Sequence, residues 1–408
     1  MKRYQWMGIM LSLVLLLCSC GADKEVEKKA GESTSTPSAT ASVTPLISED
    51  EAFSEAEKIV KTMTIEQKVG QMFLVDLLQL DASPSVDGTA YKATDSMKQA
   101  IIDYHLGGVY LTKENIKSQK QTKKLVQNLQ ASVVSGSALY VAVEEDGGGE
   151  NSISAKVEDL KDTGYVTPKE MGQNMTANQI YESGKTIAGE LTKIGINLNL
   201  APVADLASDQ NPSYAMRCLG SDADGVADLL DDFVSGMREG GLSVTLKTFP
   251  GIGNVSADVT ESIAENTDSL MTIRDTNFVP YASGIQAGAD CVMVSNAAYS
   301  KLTVKKVPAF MSQDIVTKLL REELGFDGIV MTSPLNDNVI ENNYTNEFAV
   351  VEAVKAGCDL IVLPGNFKEC YEALITAVEE GRIDEKVINT SVRRILQNKI
   401  QRGILVLE

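Results

Sequence analysis

The sequence predicts a (β/α)8 barrel, and three observations lead there. Short apolar runs recur eight times after residue 53. Each run is as long as a strand and rich in Val, Ile and Leu, and near-continuous apolarity marks strands buried on both faces of a parallel sheet. An amphipathic stretch of helical period follows each run, and strand-then-helix repeated eight times over roughly 350 residues is the pattern of a closed barrel. A doubly wound open sheet is the alternative topology. No G-x-G-x-x-G opens a helix after a strand, which weakens a dinucleotide-binding reading.

The first four runs are QMFLV (71–75), GGVYL (107–111), ALYVAVE (138–144) and INLNLAPV (196–203). The last four are LSVTLK (242–247), DCVMVSN (290–296), GIVMTS (328–333) and CDLIVLP (358–364). Between them, residues 176–195 carry Ile180, Ile187, Leu191 and Ile194 near helical spacing and stop at Gly195. Residues 312–326 are expected to start on a Ser312 cap and to end at Gly325, and residues 389–403 to close the chain as a helix.

The chain has 408 residues, enough for a large core, with 43% hydrophobic and 23% charged residues. A formal net charge of −19 argues against nucleic acid, because a phosphate backbone needs a basic face. Lys2 and Arg3 precede an apolar run from Trp6 to Cys18, followed by Ser19, Cys20 and Gly21. A charged start, a short apolar core and small residues describe a secretory signal over 1–19, too short to span a bilayer comfortably. The ending Leu17-Cys18-Ser19-Cys20 resembles a bacterial lipobox, with Cys20 as the lipidated residue and the membrane as partner through that lipid. Cys18 fits less well, since a leucine precedes it, and a plain secreted protein is the alternative. Residues 20–52, with GESTSTPSATASVTP, are expected to be a disordered tether with an rms span of roughly 30 Å. It would hold the barrel, residues 53–408, outside the cytoplasm and close to the membrane.

Cys218, Cys291, Cys358 and Cys370 are widely spaced, with no metal-ligand rhythm. They read as small buried hydrophobes, and their disulfide status is not legible. The lone His105 flanks a strand and reads as structural, and one histidine excludes a histidine-rich metal site. No metal or organic cofactor is implied. In a barrel the ligand meets the C-terminal strand ends, which here carry Asp76, Glu144-Glu145-Asp146, Asp205, Lys247, Ser295-Asn296 and Thr332-Ser333. Polar groups placed directly after apolar strands suit a sugar or other polyol.

These residues carry a family resemblance. KTFPGIG (247–253) resembles the KHFPGHG loop of family 3 glycoside hydrolases, in particular bacterial β-N-acetylhexosaminidases. MTIEQKVGQMFLV (63–75), VAVEEDGGGE (141–150), NLNLAPVADL (197–206), NPSYAMRCLGSD (211–222), LREELGFDGIVMTSPL (320–335) and GRIDEKVINTSVRRIL (381–396) are similar to family segments in order and spacing. The resemblance covers nearly all of 53–403 and implies retaining hydrolysis of terminal β-linked N-acetylglucosamine, with one carboxylate as nucleophile and a second group as acid/base.

It also shows what is changed. The family's nucleophile is the aspartate of T-D-x-L, and here Ser333 stands in Thr332-Ser333-Pro334-Leu335. The acid/base is an Asp-His pair in the pattern D-S-H, and here it is Asp258-Val259-Thr260, with Thr260 at the histidine position. A threonine hydroxyl has no useful acid pKa. Thr248, Ile252 and Asn296 replace three further histidines, and Gly149 replaces an arginine. Lys247 and Arg217 match residues that contact sugar hydroxyls, Glu144 matches a sugar-binding aspartate, and Asp205 matches a buried carboxylate whose bland reading is bonding of loop amides. The only tryptophan, Trp6, leaves with the signal.

Three functions are consistent with this. The first is a catalytically degenerate, lipid-anchored barrel that binds a glycan such as a peptidoglycan fragment. The second is a working β-N-acetylhexosaminidase with carboxylates relocated among Glu144, Asp146, Asp258, Glu261 and Asp337. The third is a scaffold for an unspecified protein partner.

Overall fold

The computed structural model describes residues 47–407 apart from 82, 85–87, 134–136, 149–152 and 154–165. The signal, Cys20, most of the tether and Gly149 lie outside the described residues. Chain contacts group Val43–Glu408 into one unit. Its strands are β1 (Phe73–Asp76), β2 (Gly108–Tyr110), β3 (Tyr140–Val143), β4 (Leu198–Asn199), β5 (Ser243–Phe249), β6 (Cys291–Val294), β7 (Ile329–Thr332) and β8 (Ile361–Val362). All pair in parallel in the order β8-β1-β2-β3-β4-β5-β6-β7. A parallel bridge between Met331 and Leu360 joins β7 to the residue before β8 and closes the circle. The fold is therefore the (β/α)8 barrel that the alternation predicts.

Local chemistry trims the expected elements. The run 196–203 pairs only at Leu198–Asn199, because Pro202 has no N–H for the ladder, and Val203 pairs again as a bridge to Lys247. The helix over Ala177–Lys193 starts on a Thr176/Gln179 capping box and ends before Gly195, which takes a φ of 91°. The segment expected to start on a Ser312 cap differs. Its helix begins at Asp314 without a side-chain cap and is wound with π-type bonds, such as Leu324 N to Leu319 O at 3.0 Å. Ser312 is buried, and its carbonyl takes the N–H groups of Ile315 and Val316. Order also begins earlier than residue 53. A helix spans Glu49–Thr62, Ser48 caps it at Glu51 N, and Ala52 and Ala56 are fully buried. Glu49, Asp50 and Glu51, which read as tether, favour the helix N-terminus electrostatically.

The circle closes around a buried carboxylate. Asp359 is 1% exposed and sits between β7 and β8. Its Oδ2 accepts from Val330 N at 2.9 Å and pairs with the Arg321 guanidinium. Its Oδ1 accepts from Ser391 Oγ at 2.7 Å and lies 3.4 Å from Arg394 Nη1. Arg321 comes from the preceding helix, and Ser391 and Arg394 come from the closing helix Glu385–Gln401. That closing helix also seals the N-terminal end of the barrel. Asn398 Oδ1 takes the Tyr140 and Ser243 hydroxyls, and Lys399 Nζ donates to Gln71 Oε1 and Gly107 O. Burial pushes the Lys399 ammonium down to about 7.

All four cysteines are free and buried, as small hydrophobes would be. His105 stands at the N-terminal end, with a φ of 50° and its carbonyl accepting from Gln71 Nε2. It helps line a cavity of about 350 Å³ beside Ile59, Ile101 and Leu396, on the opposite end from the strand-end carboxylates. That end of a barrel serves stability.

Replacing Asp359 by alanine would leave two guanidinium groups at the seam without their shared carboxylate. Urea unfolding of Asp359→Ala is expected to show a loss of about 3–5 kcal/mol. A loss below about 1 kcal/mol would show that the seam does not rely on this group.

Candidate functional site

Two sets of polar groups stand at the C-terminal mouth of the barrel. The first is built on the end of β3. Asn199 of β4 brackets the backbone of Glu145, accepting from its N at 2.9 Å and donating to its O at 2.9 Å. This anchors the central residue of the acidic triplet, and the carboxylates on either side of it, Glu144 and Asp146, meet the same two cations. Lys247 Nζ lies 2.7 Å from Glu144 Oε1 and 2.9 Å from Asp146 Oδ1. Arg217 donates from Nε to Asp146 Oδ2 at 2.8 Å and pairs through Nη2 with Glu144.

Each cation is placed by its own element. The β5–β6 register shifts between Leu246 and Phe249, so Lys247 sits in a bulge at the rim, where a side chain can be re-aimed. Arg217 ends a 3-10 turn, Tyr214–Arg217, and its guanidinium carbon lies 5.7 Å from the centre of the Tyr214 ring. Burial opposes ionisation of Glu144, but Lys247 and Arg217 outweigh it and hold the carboxyl down at about 2. Two carboxylates and two cations thus form a charge-neutral clamp. The resemblance points to Glu144, Arg217 and Lys247 here, and the structure brings all three together. Asp146 is the fourth member, and its sequence signal was its place two residues after Glu144.

Asp205, fully buried, organises what surrounds the clamp. Its oxygens accept from the Tyr214 hydroxyl (2.9 Å), the Tyr281 hydroxyl (2.9 Å), Thr248 Oγ1 (3.1 Å), Thr248 N (3.3 Å) and Ile252 N (3.1 Å). Burial raises its pKa against these bonds. Asp205 therefore bonds loop amides and holds the ring beneath Arg217. The loop needs its glycines for closeness. A Cβ on Gly253 would lie 1.9 Å from Leu206 O, and one on Gly251, at φ 117°, would lie 1.8 Å from Asn277 Nδ2. Ile252 turns inward and is 4% exposed. Asp76, also at a strand end, caps the helix Leu77–Leu80 through Leu78 N.

The second set lies past β6 and β7. Ser333 follows β7 and is 5% exposed. Asp337, four residues on, occupies the cap position of the helix Asn338–Glu341 but makes no capping bond. Its Oδ2 instead accepts from Asn296 Nδ2 at 2.8 Å. Burial raises the Asp337 carboxyl, the nearby charges of Asp258, Glu144 and Glu261 raise it further, and it reaches about 7. Asp258 and Thr260 lie on an exposed loop, with Thr260 N and Oγ1 bonded to Asp258 Oδ1 at 2.8 and 2.7 Å. That loop docks on the β7 side. Val339 N donates to Thr260 O at 2.7 Å, and Asn338 Nδ2 donates to both Glu261 oxygens. The pairing of Asn296 with Asp337 had no sequence signal beyond their strand-end positions, because it joins two different loops.

Comparison with known proteins supplies the context. The family pattern described as "Glycosyl hydrolase family 3 N terminal domain" matches residues 64–398. The chain is 26% identical over 369 residues to beta-hexosaminidase A of Pseudoalteromonas piscicida, covering 83% of this chain and 61% of that protein. It is 29% identical over 266 residues to a beta-hexosaminidase of Xylella fastidiosa strain M23, covering 64% of this chain and 77% of that protein. The fold is similar to a glycoside hydrolase family 3 beta-N-acetylglucosaminidase from Paenibacillus sp. str. FPU-7, with a TM-score of 0.75 and 29% identity, over 85% of this chain and 64% of that chain. It is also similar to a beta-N-acetylhexosaminidase from Beutenbergia cavernae DSM 12333, with a TM-score of 0.71 and 28% identity, over 83% and 98%. The chain thus spans less than two thirds of the Pseudoalteromonas and Paenibacillus proteins.

The two carboxyls at the mouth make opposite pH signatures. Glu144 is depressed by folding, so its stabilisation is complete above the ordinary glutamate value of about 4.3 and is lost as pH falls toward about 2. The stability gap between the parent and Glu144→Gln is expected to shrink over that window in urea unfolding. A gap constant across the window would dissolve the clamp's electrostatic role. Asp337 is raised by folding, so parent stability should fall as pH climbs from the ordinary aspartate value of about 3.9 to about 7, and then level off. Asp337→Asn should remove that fall and be the more stable protein at pH 8. An unchanged slope in the variant would assign it to another group.

Proposed function

The chain belongs to glycosyl hydrolase family 3, and from that premise we propose that its barrel mouth binds a terminal N-acetylated sugar, such as the end of a peptidoglycan fragment, without hydrolysing it by the family route. The observation that carries this is the state of the two catalytic positions. The nucleophile position holds the Ser333 hydroxyl, which offers no anionic charge to an oxocarbenium-like transition state. The acid/base position holds Thr260, whose hydroxyl is bonded to Asp258 at 2.7 Å on an exposed loop. Meanwhile the clamp of Glu144, Asp146, Arg217 and Lys247 keeps charged donors and acceptors fixed at the mouth. Such groups orient sugar hydroxyls by charge-assisted hydrogen bonds. We place the chain outside the cytoplasm, lipid-anchored through Cys20.

A second reading has one observation in its favour. Asp337 at about 7 and Glu144 at about 2 are a carboxyl pair whose environments drive their pKa values apart, which is how an acid and an anionic partner are divided in glycosidases.

Turnover of a chromogenic β-N-acetylglucosaminide at high protein concentration separates the two. The degenerate reading expects no turnover above background, together with saccharide binding that Arg217→Ala weakens at least tenfold. Turnover that Asp337→Asn abolishes, with Asp258→Asn as the comparison, would replace it with the relocated-carboxylate reading.

A further inference from the structure

We infer that the β6–β7 side of the mouth, formed by Asn296 and Asp337, is a subsite for a primary ammonium group on the bound ligand. This rests on the reading that the mouth binds a saccharide, and it changes the ligand class from an N-acetylated sugar to one with a free amine.

The argument starts from an orphaned acceptor. Asn296 is 1% exposed, and its Oδ1 is buried with no hydrogen-bond partner among the described residues. The orientation of this amide is set by its neighbours. Its Nδ2 faces Pro334 O at 3.4 Å and Asp337 Oδ2 at 2.8 Å, and a carbonyl oxygen can only accept. Oδ1 is therefore the atom turned away from Pro334, beside the Asp337 carboxyl. A buried polar atom left without a partner costs about 1–3 kcal/mol, and a ligand that donates to it recovers that loss.

The surroundings select the charge of that ligand. Asp337 forgoes the capping bond that an aspartate at a helix N-cap ordinarily makes, a bond worth about 1 kcal/mol, and turns toward Asn296. Asp258, Glu261 and Glu144 all act on Asp337 as like charges. The mouth's two cations, Lys247 and Arg217, are engaged by Glu144 and Asp146. A positive group seated beside Asp337 relieves the repulsion that a neutral acetamide leaves in place. An ammonium carries three donors and no acceptor, so one N–H meets Asn296 Oδ1 and another meets the Asp337 carboxylate. Two ligand sources share this chemistry: a de-N-acetylated amino sugar, and a peptide side-chain amine carried on a glycan.

Calorimetric titration of the full chain in detergent, at pH 7 and low salt, tests this with three probes. These are a β-1,4-linked glucosamine tetramer, its fully N-acetylated counterpart, and a short lysine-containing peptide without sugar. The expected result is at least tenfold tighter binding of the glucosamine tetramer than of the acetylated one. Asp337→Asn should erase that preference without lowering thermal stability, and Asn296→Leu should weaken it. Lysine-peptide binding that equals the glucosamine tetramer and also needs Asp337 supports the ammonium subsite and assigns its source to a peptide. Acetylated tetramer bound as tightly as the free amine overturns the inference but leaves saccharide binding standing. Failure of both tetramers to bind overturns the proposed function and this inference together.

Discussion

The barrel depends on closing its last pair of strands, and the contact that closes it is polar. β7 and β8 are four and two residues long, and only one bridge, Met331 to Leu360, joins their edges directly. Asp359 reinforces that seam by holding Val330 N on one side and the closing helix on the other. An open parallel edge would leave N–H and C=O groups unpaired inside the helical layer, which folded chains avoid. Everything at the mouth inherits its position from this closure, because the site loops leave the ends of different strands.

Buried polar residues one layer further up convert the closed frame into a site. Asn199 anchors the acidic triplet, and Asp205 ties the 248–252 loop to the ring on which Arg217 rests. Neither needs to touch a ligand to matter. Their effect is to hold four charges within ion-pair distance of each other at a place where water is partly excluded. A clamp of this kind is neutral overall, which explains how an acidic chain keeps two cations fixed at its mouth.

The catalytic geometry of the family has been divided in this chain. On the β3–β5 side, carboxylates are paired with cations and ionised. On the β6–β7 side, a carboxyl is held by a neutral amide and kept from ionising readily. The same mouth therefore offers two electrostatic environments, one satisfied within the protein and one not. That asymmetry bears on ligand choice more than the loss of any one family residue does.

The barrel was legible in the sequence because burial on both faces writes itself as apolar runs, and helical period needs only one chain segment to be read. Strand limits at Pro202 and the stops at Gly195 and Gly325 follow from local backbone chemistry, and the replaced residues Ser333 and Thr260 are visible as letters. The missed features are those in which distant segments meet. The helix starting at Glu49 read as tether because its buried face needs partners in the closing helix. Ser312 looked like a cap until packing buried it. Asp146 joined the clamp, and Asp337 turned to Asn296, only once separate strand ends were brought around one axis. The sequence by itself determined the fold, the family and which catalytic groups were exchanged, because those are properties of single segments. Only the tertiary structure decided which charges neutralise each other and which acceptor is left over, because electrostatic pairing depends on distance across the barrel and not along the chain.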